Sequence, residues 1–305
     1  LGNQIPLSAY DVYKIDDLSN RIVAIGSALE KKIGQPGIAK QVKKCFRRLV
    51  GPWVYESEIM RHAFQKPYGY PGDHHLLEII YNNLPRSKGL GFCFDVCFLQ
   101  NPYAVAVRNR KEWMKEFLKQ MWSQSVQPLR ILNLACGSCR EVKEALTEQP
   151  CTTSVSFIGL DQDQEALEFS RKSLASIGAQ KFSAEYVRAD LLKISRDRES
   201  GSGWTGIDLA YSIGLADYLP DRFLRKIISF SFRLLRGGGI FIIAHKDAAT
   251  YKPTIHDWLC DWQFVSRSRE ELVQLCLEAA APNARVQLEE EKSGHIFFVK
   301  LEKAP

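Results

Sequence analysis

The sequence predicts an α/β fold, a Rossmann-like parallel sheet preceded by an N-terminal helical cap, on three observations. Arg130 to Glu141 (Arg-Ile-Leu-Asn-Leu-Ala-Cys-Gly-Ser-Cys-Arg-Glu) reads as a buried strand, a tight turn at Gly137 and a polar helix start. A second strand, Ser154 to Leu160, ends on Asp161. That order builds a nucleoside site from a backbone turn and an acid. From Leu129 onward, strand and helix patterns alternate through the rest of the 305-residue chain.

The first part of the chain is helical in pattern. Leu18, Ile22, Ile25 and Leu29 recur at helical spacing between Asp16 and Lys32, and Ile38 to Val50 repeats the pattern until Gly51-Pro52. Ser57 caps a short helix holding Ile59, Met60 and Phe64. Lys66-Pro67-Tyr68-Gly69-Tyr70-Pro71-Gly72-Asp73 breaks that helix, and Asp73 caps the next. Further helices are expected at 74–82, 90–100 and 103–122. Strands are expected at 130–135, 155–160, 182–187, 207–213 and 239–245, with helices near 138–148, 163–177, 220–236 and 267–280. Arg236-Gly237-Gly238-Gly239 is read as the turn into the fifth strand, and Arg196 to Gly203 as a flexible loop. Arg285 to Glu290 and His295 to Leu301, joined through Lys292-Ser293-Gly294, form a closing β-hairpin. The expected domains are a substrate-enclosing helical cap, 1–125, and a nucleoside-binding domain, 126–305.

Composition narrows the function classes. Hydrophobic content of 45% and charged content of 25% are those of an ordinary globular chain, and no apolar run approaches the roughly 20 residues of a membrane span. The opening Leu1-Gly2-Asn3-Gln4 lacks a secretory pattern, so a cytoplasmic location is expected, an upstream segment being left open. The net charge of +6 is dispersed. Its densest run, Lys40 to Arg48, is a solvated helix face or an anion-binding one; no nucleic-acid motif accompanies it and no nucleic-acid partner is expected. Cys136-x-x-Cys139 has no second pair to complete a zinc site, so no metal is expected and the cysteines are taken as reduced and structural.

Glycine supply discriminates between nucleotides. A dinucleotide turn needs Gly-x-Gly-x-x-Gly so that backbone can approach a pyrophosphate, whereas this turn offers Gly137 between Ala135 and Cys139. A phosphate-free adenosyl ligand tolerates that loss. Asn133, Ala135, Cys136 and Gly137 then form the turn under the ligand, Asp161 takes ribose hydroxyls or caps the following helix, and Gln162 lines the same pocket. Asp190 would place a carboxylate beside the adenine, with Leu191 offering its amide. Ser212 and Ile213 end the fourth strand beside the ligand, and Arg140 stands near its carboxylate.

These residues together resemble the class I S-adenosylmethionine-dependent methyltransferases over roughly 125–303. The resemblance implies a seven-stranded sheet, S-adenosyl-L-methionine as cofactor and the Gly137 turn beneath its methionine portion. In that family the motif opens with an acid and carries three glycines; here Asn133, Ala135 and Cys139 stand instead of the acid and two glycines. A narrower likeness rests on Lys66 to Asp73, Ala135 to Glu141, Gly214-Leu215-Ala216-Asp217-Tyr218-Leu219 and Asp257-Trp258. Those strings are similar to bacterial methyltransferases that form 3-hydroxy fatty acid methyl esters, and to related azetidine-2-carboxylate synthases.

A sulfonium methyl is already activated, so such an enzyme mainly aligns and desolvates, and a carboxylate acceptor needs no base. Where a base is needed, Tyr70, His75, Tyr211, Asp217 and His245 are the catalytic candidates. Tyr68, Asp73 and His74 join Tyr70 and His75 as lid candidates, and Lys246 follows His245 at the end of the fifth strand. His256, Asp257, Trp258 and Trp262 are read as core or as a wall of the acceptor pocket. The expected function is methyl transfer to a small molecule, with a hydroxy-acid carboxylate as acceptor. The alternatives are cyclisation of the cofactor to azetidine-2-carboxylate with release of methylthioadenosine, and a non-catalytic cofactor-sensing module. Oligomeric state is left open.

Overall fold

The computed structural model describes residues 8–196, 201–250, 252, 255–280 and 284–305. In chain order the elements are α1 (Ala9–Ile33), α2 (Pro36–Val54), α3 (Glu58–Gln65), α4 (His74–Asn82), α5 (Gly89–Gln100), α6 (Pro102–Gln124), β1 (Leu129–Leu134), α7 (Arg140–Glu148), β2 (Val155–Asp161), α8 (Gln164–Ala175), β3 (Phe182–Arg188) and α9 (Leu191–Ile194). Then follow β4 (Ile207–Ser212), α10 (Asp221–Leu234), β5 (Leu235–Lys246), α11 (Ile255–Cys260), α12 (Arg269–Ala279), β6 (Arg285–Glu290) and β7 (Ile296–Glu302). Two compact units result: Leu1–Val105 with Lys252–Gln263, and Ala106–Tyr251 with Phe264–Pro305. The division falls inside α6 rather than after residue 125, and a short C-terminal excursion joins the helical unit.

In the helical unit, capping sets the boundaries. Ser8 and Asp11 form a reciprocal capping box on α1, Ser57 accepts from the Met60 amide at 2.9 Å to start α3, and Asp73 accepts from the Leu76 amide at 2.9 Å to start α4. The stripe Leu18–Ile25–Leu29 is largely exposed, a correction to the expected packing face: α1 turns Ser19, Val23 and Gly26 inward instead. Small residues there let a large one approach. A Cβ on Gly26 would lie 2.3 Å from the Trp258 ring. Gly26→Ala is therefore expected to lower stability by about 1–3 kcal/mol through overpacking, against a few tenths at most for the same change at exposed Gly37, as read by urea melts. Helix α2 runs through Gly51-Pro52 instead of stopping there, because Pro52 sits in its last turn, where it removes one amide. Within its basic run, Lys43 is buried against Glu30 (2.7 Å) and Asp257 (2.5 Å) and Arg47 against Asp261 (2.9 Å), while Lys40, Lys44 and Arg48 face outward. Asp257 and Trp258 are thus in the core of this unit, with His256 edge-on to Phe98 at 4.7 Å.

The second unit is a seven-stranded sheet of order β3-β2-β1-β4-β5-β7-β6, parallel except for β7, which pairs antiparallel with β5 and β6. Strands β1, β2 and β4 are buried on both faces, so they read as near-continuous apolar runs. The edge strands β3 and β6 are half-exposed and polar, which blunts edge pairing. The core packs Leu132, Ile158, Ala210 and Ile243 against α10 and α12 through Leu224, Ile228, Leu272 and Leu275. Strand β5 begins at Leu235, so the three glycines expected as a turn lie within the strand, where its register against β4 shifts between Ile207 and Leu209. Of the loop expected at Arg196 to Gly203, residues 197–200 lie outside the described residues. Helices α9 and α11 are additions that their short lengths hid from periodicity. Among the described residues no single helix is long and apolar enough to cross a membrane.

Candidate functional site

The strand order reverses between β1 and β4, and a parallel sheet binds ligands at the carboxyl ends of the strands beside such a reversal. That is where the chain leaves β1 through Ala135, Cys136 and Gly137. Ala135 (φ 56°), Gly137 (φ 55°) and Cys139 (φ 48°) all adopt the left-handed region, so two side-chain-bearing residues hold conformations that favour glycine. Ala135→Gly is expected to be neutral or stabilising by up to about 1 kcal/mol, opposite in sign to the same change inside a helix; a thermal melt showing a loss above 1 kcal/mol would contradict the strain.

Neighbouring strands pin the turn. The Cys136 amide donates to the Leu160 carbonyl (3.0 Å) and the Cys139 amide to the Cys136 carbonyl (3.1 Å). The Gly137 carbonyl accepts from the Ser170 hydroxyl at 2.7 Å, and the Ser212 hydroxyl donates to the Leu134 carbonyl at 2.8 Å. The carboxylate of Asp161, buried at the end of β2, accepts from the Gly137 amide (2.9 Å) and from the Asp163 amide (3.0 Å). The cap of α8 is Asp163, whose side chain accepts from the Glu165 and Ala166 amides, so the capping role considered for Asp161 belongs two residues later. Asp161 instead ties the turn to the end of β2.

Beneath the turn lies a polar triangle. Asn133 Nδ2 donates to Glu141 Oε1 (3.1 Å) and to the Tyr211 hydroxyl (2.9 Å), and the Tyr211 hydroxyl donates to Glu141 Oε1 (2.8 Å). Burial raises the Glu141 carboxyl, and burial with Glu141 beside it pushes the Tyr211 phenol well above its ordinary value. An acid at position 133 would face Glu141 at hydrogen-bond distance, a like-charge contact that the amide avoids. Tyr211 is wholly buried with its hydroxyl engaged, so the structure withdraws it as a base.

The next loop carries a buried ion pair. Asp217 accepts from the Lys246 amide (3.0 Å) and Lys246 Nζ (2.6 Å), both residues being buried. Burial alone would raise the Asp217 carboxyl, yet the Lys246 ammonium against it pulls it down to about 2. His245 is buried as well. Its Nδ1 lies 2.6 Å from the Lys246 carbonyl and its Nε2 3.0 Å from Arg267 Nη1. Arginine only donates, so Nε2 accepts and the proton sits on Nδ1. Burial lowers the imidazole and keeps it neutral. Both nitrogens being engaged, His245 positions the Asp217 loop rather than facing an acceptor, a second correction. Arg267 braces that loop through the Ala216 carbonyl (3.0 Å) and Asp221 (2.7 Å).

Other expected residues are placed as follows. Asp190 caps α9 through the Leu192 and Lys193 amides, with Leu191 buried behind it, and Gln162 is exposed at the end of β2. Ile213 is buried at the end of β4. Arg140 Nε pairs with Glu144 at 2.6 Å along α7. Tyr70 is half-buried in the turn before α4, and His75 is largely exposed on α4, its ring stacked on His62 at 5.3 Å; the partial burial of the ring and the neighbouring His62 lower it. Both belong to the helical unit, where His62 Nε2 meets Asp73 at 2.9 Å, a dyad the sequence reading did not contain.

One buried group was missed altogether. Arg110 on α6 is only 4% exposed, and among the described residues neither a hydrogen bond nor a carboxylate partner satisfies its guanidinium. A Cβ at Gly214, in the loop after β4, would lie 3.9 Å from Arg110 Nη2. The signal was present, since Val107, Arg110, Met114 and Leu118 follow one another at helical spacing and all are buried.

No protein-family model matches the chain, and no curated protein matches it. Solved structures do. A Bordetella parapertussis protein described as a possible exported protein is similar with a TM-score of 0.59 at 19% identity, over 76% of this chain and 80% of that one. Magnesium protoporphyrin IX methyltransferase from Synechocystis PCC 6803, with bound SAH, gives a TM-score of 0.50 at 8% identity, over 67% of this chain and 88% of that one. This chain has the class I methyltransferase fold. The small RNA methyltransferase HEN1 gives 0.50 at 13% identity, over 65% of this chain and 26% of its own length. At such identities the likeness is one of fold, and the chemistry rests on the residues above.

Proposed function

We propose that the protein is an S-adenosylmethionine-dependent methyltransferase acting on a small molecule. The observation that carries the reading is the turn after β1. The amides of Cys136, Gly137 and Cys139 are satisfied within the protein, and the Asp161 carboxylate sits on one of them. A dinucleotide turn presents its amides to a pyrophosphate, which a carboxylate in that place would repel. A ligand with ribose hydroxyls and no phosphate meets no such repulsion, because a carboxylate accepts hydrogen bonds from hydroxyls. The residues present therefore fit the adenosyl cofactor carried, as SAH, by the Synechocystis neighbour. When bound, S-adenosylmethionine supplies an activated methyl group on a sulfonium. The chain's part is to hold the ribose at Asp161, set the turn through Ser170 and Ser212, and keep water out at the buried ends of β1 and β4.

The acceptor is proposed to be a carboxylate, as in a hydroxy acid. In support, the three candidate bases of the sheet unit are all otherwise engaged: Tyr211 on Glu141, Asp217 on Lys246 and His245 between Arg267 and the Lys246 carbonyl. A carboxylate nucleophile requires none of them. Product analysis tests both statements. With S-adenosylmethionine and a panel of hydroxy acids, S-adenosylhomocysteine is expected to form only when an acceptor is added. Methylthioadenosine and a cyclic amino acid formed from the cofactor alone would overturn methyl transfer in favour of cyclisation, and tight binding without turnover would favour a sensing module.

A further inference from the structure

We infer that Arg110 is the carboxylate-binding residue of this site, an inference that rests on the reading of the site as a methyltransferase centre. Three cations of α6 are buried: Arg110, Lys111 and Lys115. Lys111 is held by Glu112 (2.5 Å) and by Glu144, and Lys115 by Glu112 (2.7 Å) and Glu148 (2.6 Å). Arg110, equally buried, has neither a carboxylate nor a hydrogen-bond acceptor among the described residues, and its Nε is sealed from water. A guanidinium buried in that way is costly unless something neutralises it and accepts its protons.

Its surroundings show what that something is. Arg110 lies beside Gly214, in the loop leaving β4 at the sheet's reversal; burial raises the Glu141 carboxyl and lowers the Lys246 ammonium, and the charge of Arg110 opposes the first shift and adds to the second. Glu141 Oε1 is already engaged by Tyr211 and Asn133, and Lys246 is neutralised by Asp217. His245 is neutral. Among the described residues at these strand ends, the cation without a carboxylate partner is Arg110, and the absence of a side chain at Gly214 leaves room against it. A planar fork of donors matches a carboxylate bidentately, which a lysine in the same place would not. The ligand is an organic carboxylate, carried either by the amino-acid end of the cofactor or by the acceptor.

The test uses the whole chain and calorimetric binding, with Arg110→Met and Arg110→Lys. The probes are S-adenosylhomocysteine, methylthioadenosine (the same nucleoside without the carboxylate) and 3-hydroxyoctanoate. A loss of about 10- to 100-fold for S-adenosylhomocysteine with methylthioadenosine unchanged would support the inference and assign the cofactor's carboxylate. Unchanged S-adenosylhomocysteine with lost 3-hydroxyoctanoate binding would support it and assign the acceptor's. Arg110→Lys should recover only part of either loss. Arg110→Met without ligand should melt at or above the parent protein, because a buried unpaired charge has been removed. Binding of all three probes as in the parent protein, or a parent protein that binds no carboxylate probe, overturns the inference. If the parent protein fails to bind S-adenosylhomocysteine yet binds 3-hydroxyoctanoate through Arg110, the methyltransferase reading falls and the carboxylate site stands.

Discussion

Lys246→Met is expected to lower the stability of the chain by about 3–5 kcal/mol at neutral pH. The substitution keeps the apolar stem and deletes the charge, leaving the ionised carboxylate of Asp217 buried, 3% exposed, without its cation. It also removes the ammonium held 3.7 Å over the Phe264 ring. Replacing both partners, as in Lys246→Met with Asp217→Leu, should recover much of the loss, because a buried pair has itself to be desolvated. The pH dependence has a definite sign. Asp217 is depressed from 3.8 to about 2 in the folded state, so its contribution is complete above the unfolded value and lost as pH falls through 3.8 toward 2. His245 is lowered from 6.5 by burial, so the unfolded chain takes up its proton first and stability also falls as pH drops below 6.5. Urea melts at neutral and acid pH check both. A loss below 1 kcal/mol at neutral pH for Lys246→Met would show that the pair is not a structural tie.

Asp161→Ala is expected to weaken S-adenosylmethionine binding by about 1–3 kcal/mol and to destabilise the ligand-free protein by a similar amount. The two effects have separate causes. Hydroxyl contacts to the Asp161 carboxylate account for the first. The second follows because the Gly137 and Asp163 amides lose their acceptor in a partly buried position. Asp161→Asn separates them, since one oxygen survives to hold one amide, so stability should be partly restored while affinity remains low. Equal affinity in Asp161→Ala and the parent protein, by calorimetry, would refute the ribose assignment.

What was legible in the sequence was local. The strand from Leu129, the turn at Gly137 and the acid at the end of β2 are written in consecutive residues, and the structure places them together at the sheet's reversal. What was hidden depends on partners far apart in the chain. Glu141 reads as an ordinary first-turn acid on a helix, and only the approach of Tyr211, 70 residues on, makes it the centre of a polar triangle. Lys246 meets Asp217 across 29 residues, and Arg267 reaches His245 from a segment with no strand or helix of its own. The face of α1 was misjudged for a related reason. Periodicity marks Leu18, Ile25 and Leu29 as the packing stripe, but Trp258 needs small residues opposite it and Gly26 supplies one. Arg110 carried a local signal, a lone cation in an apolar stripe, whose meaning depends on which carboxylates are near, and that is tertiary information.

In the proposed function, the Gly137 turn with Asp161 seated on it selects a phosphate-free adenosyl ligand. Calorimetric titration of the intact protein with S-adenosylmethionine, S-adenosylhomocysteine and NAD tests it directly. One-to-one binding of the first two, with no heat from NAD, is the predicted result; binding of NAD in place of the adenosyl sulfur compounds would contradict it.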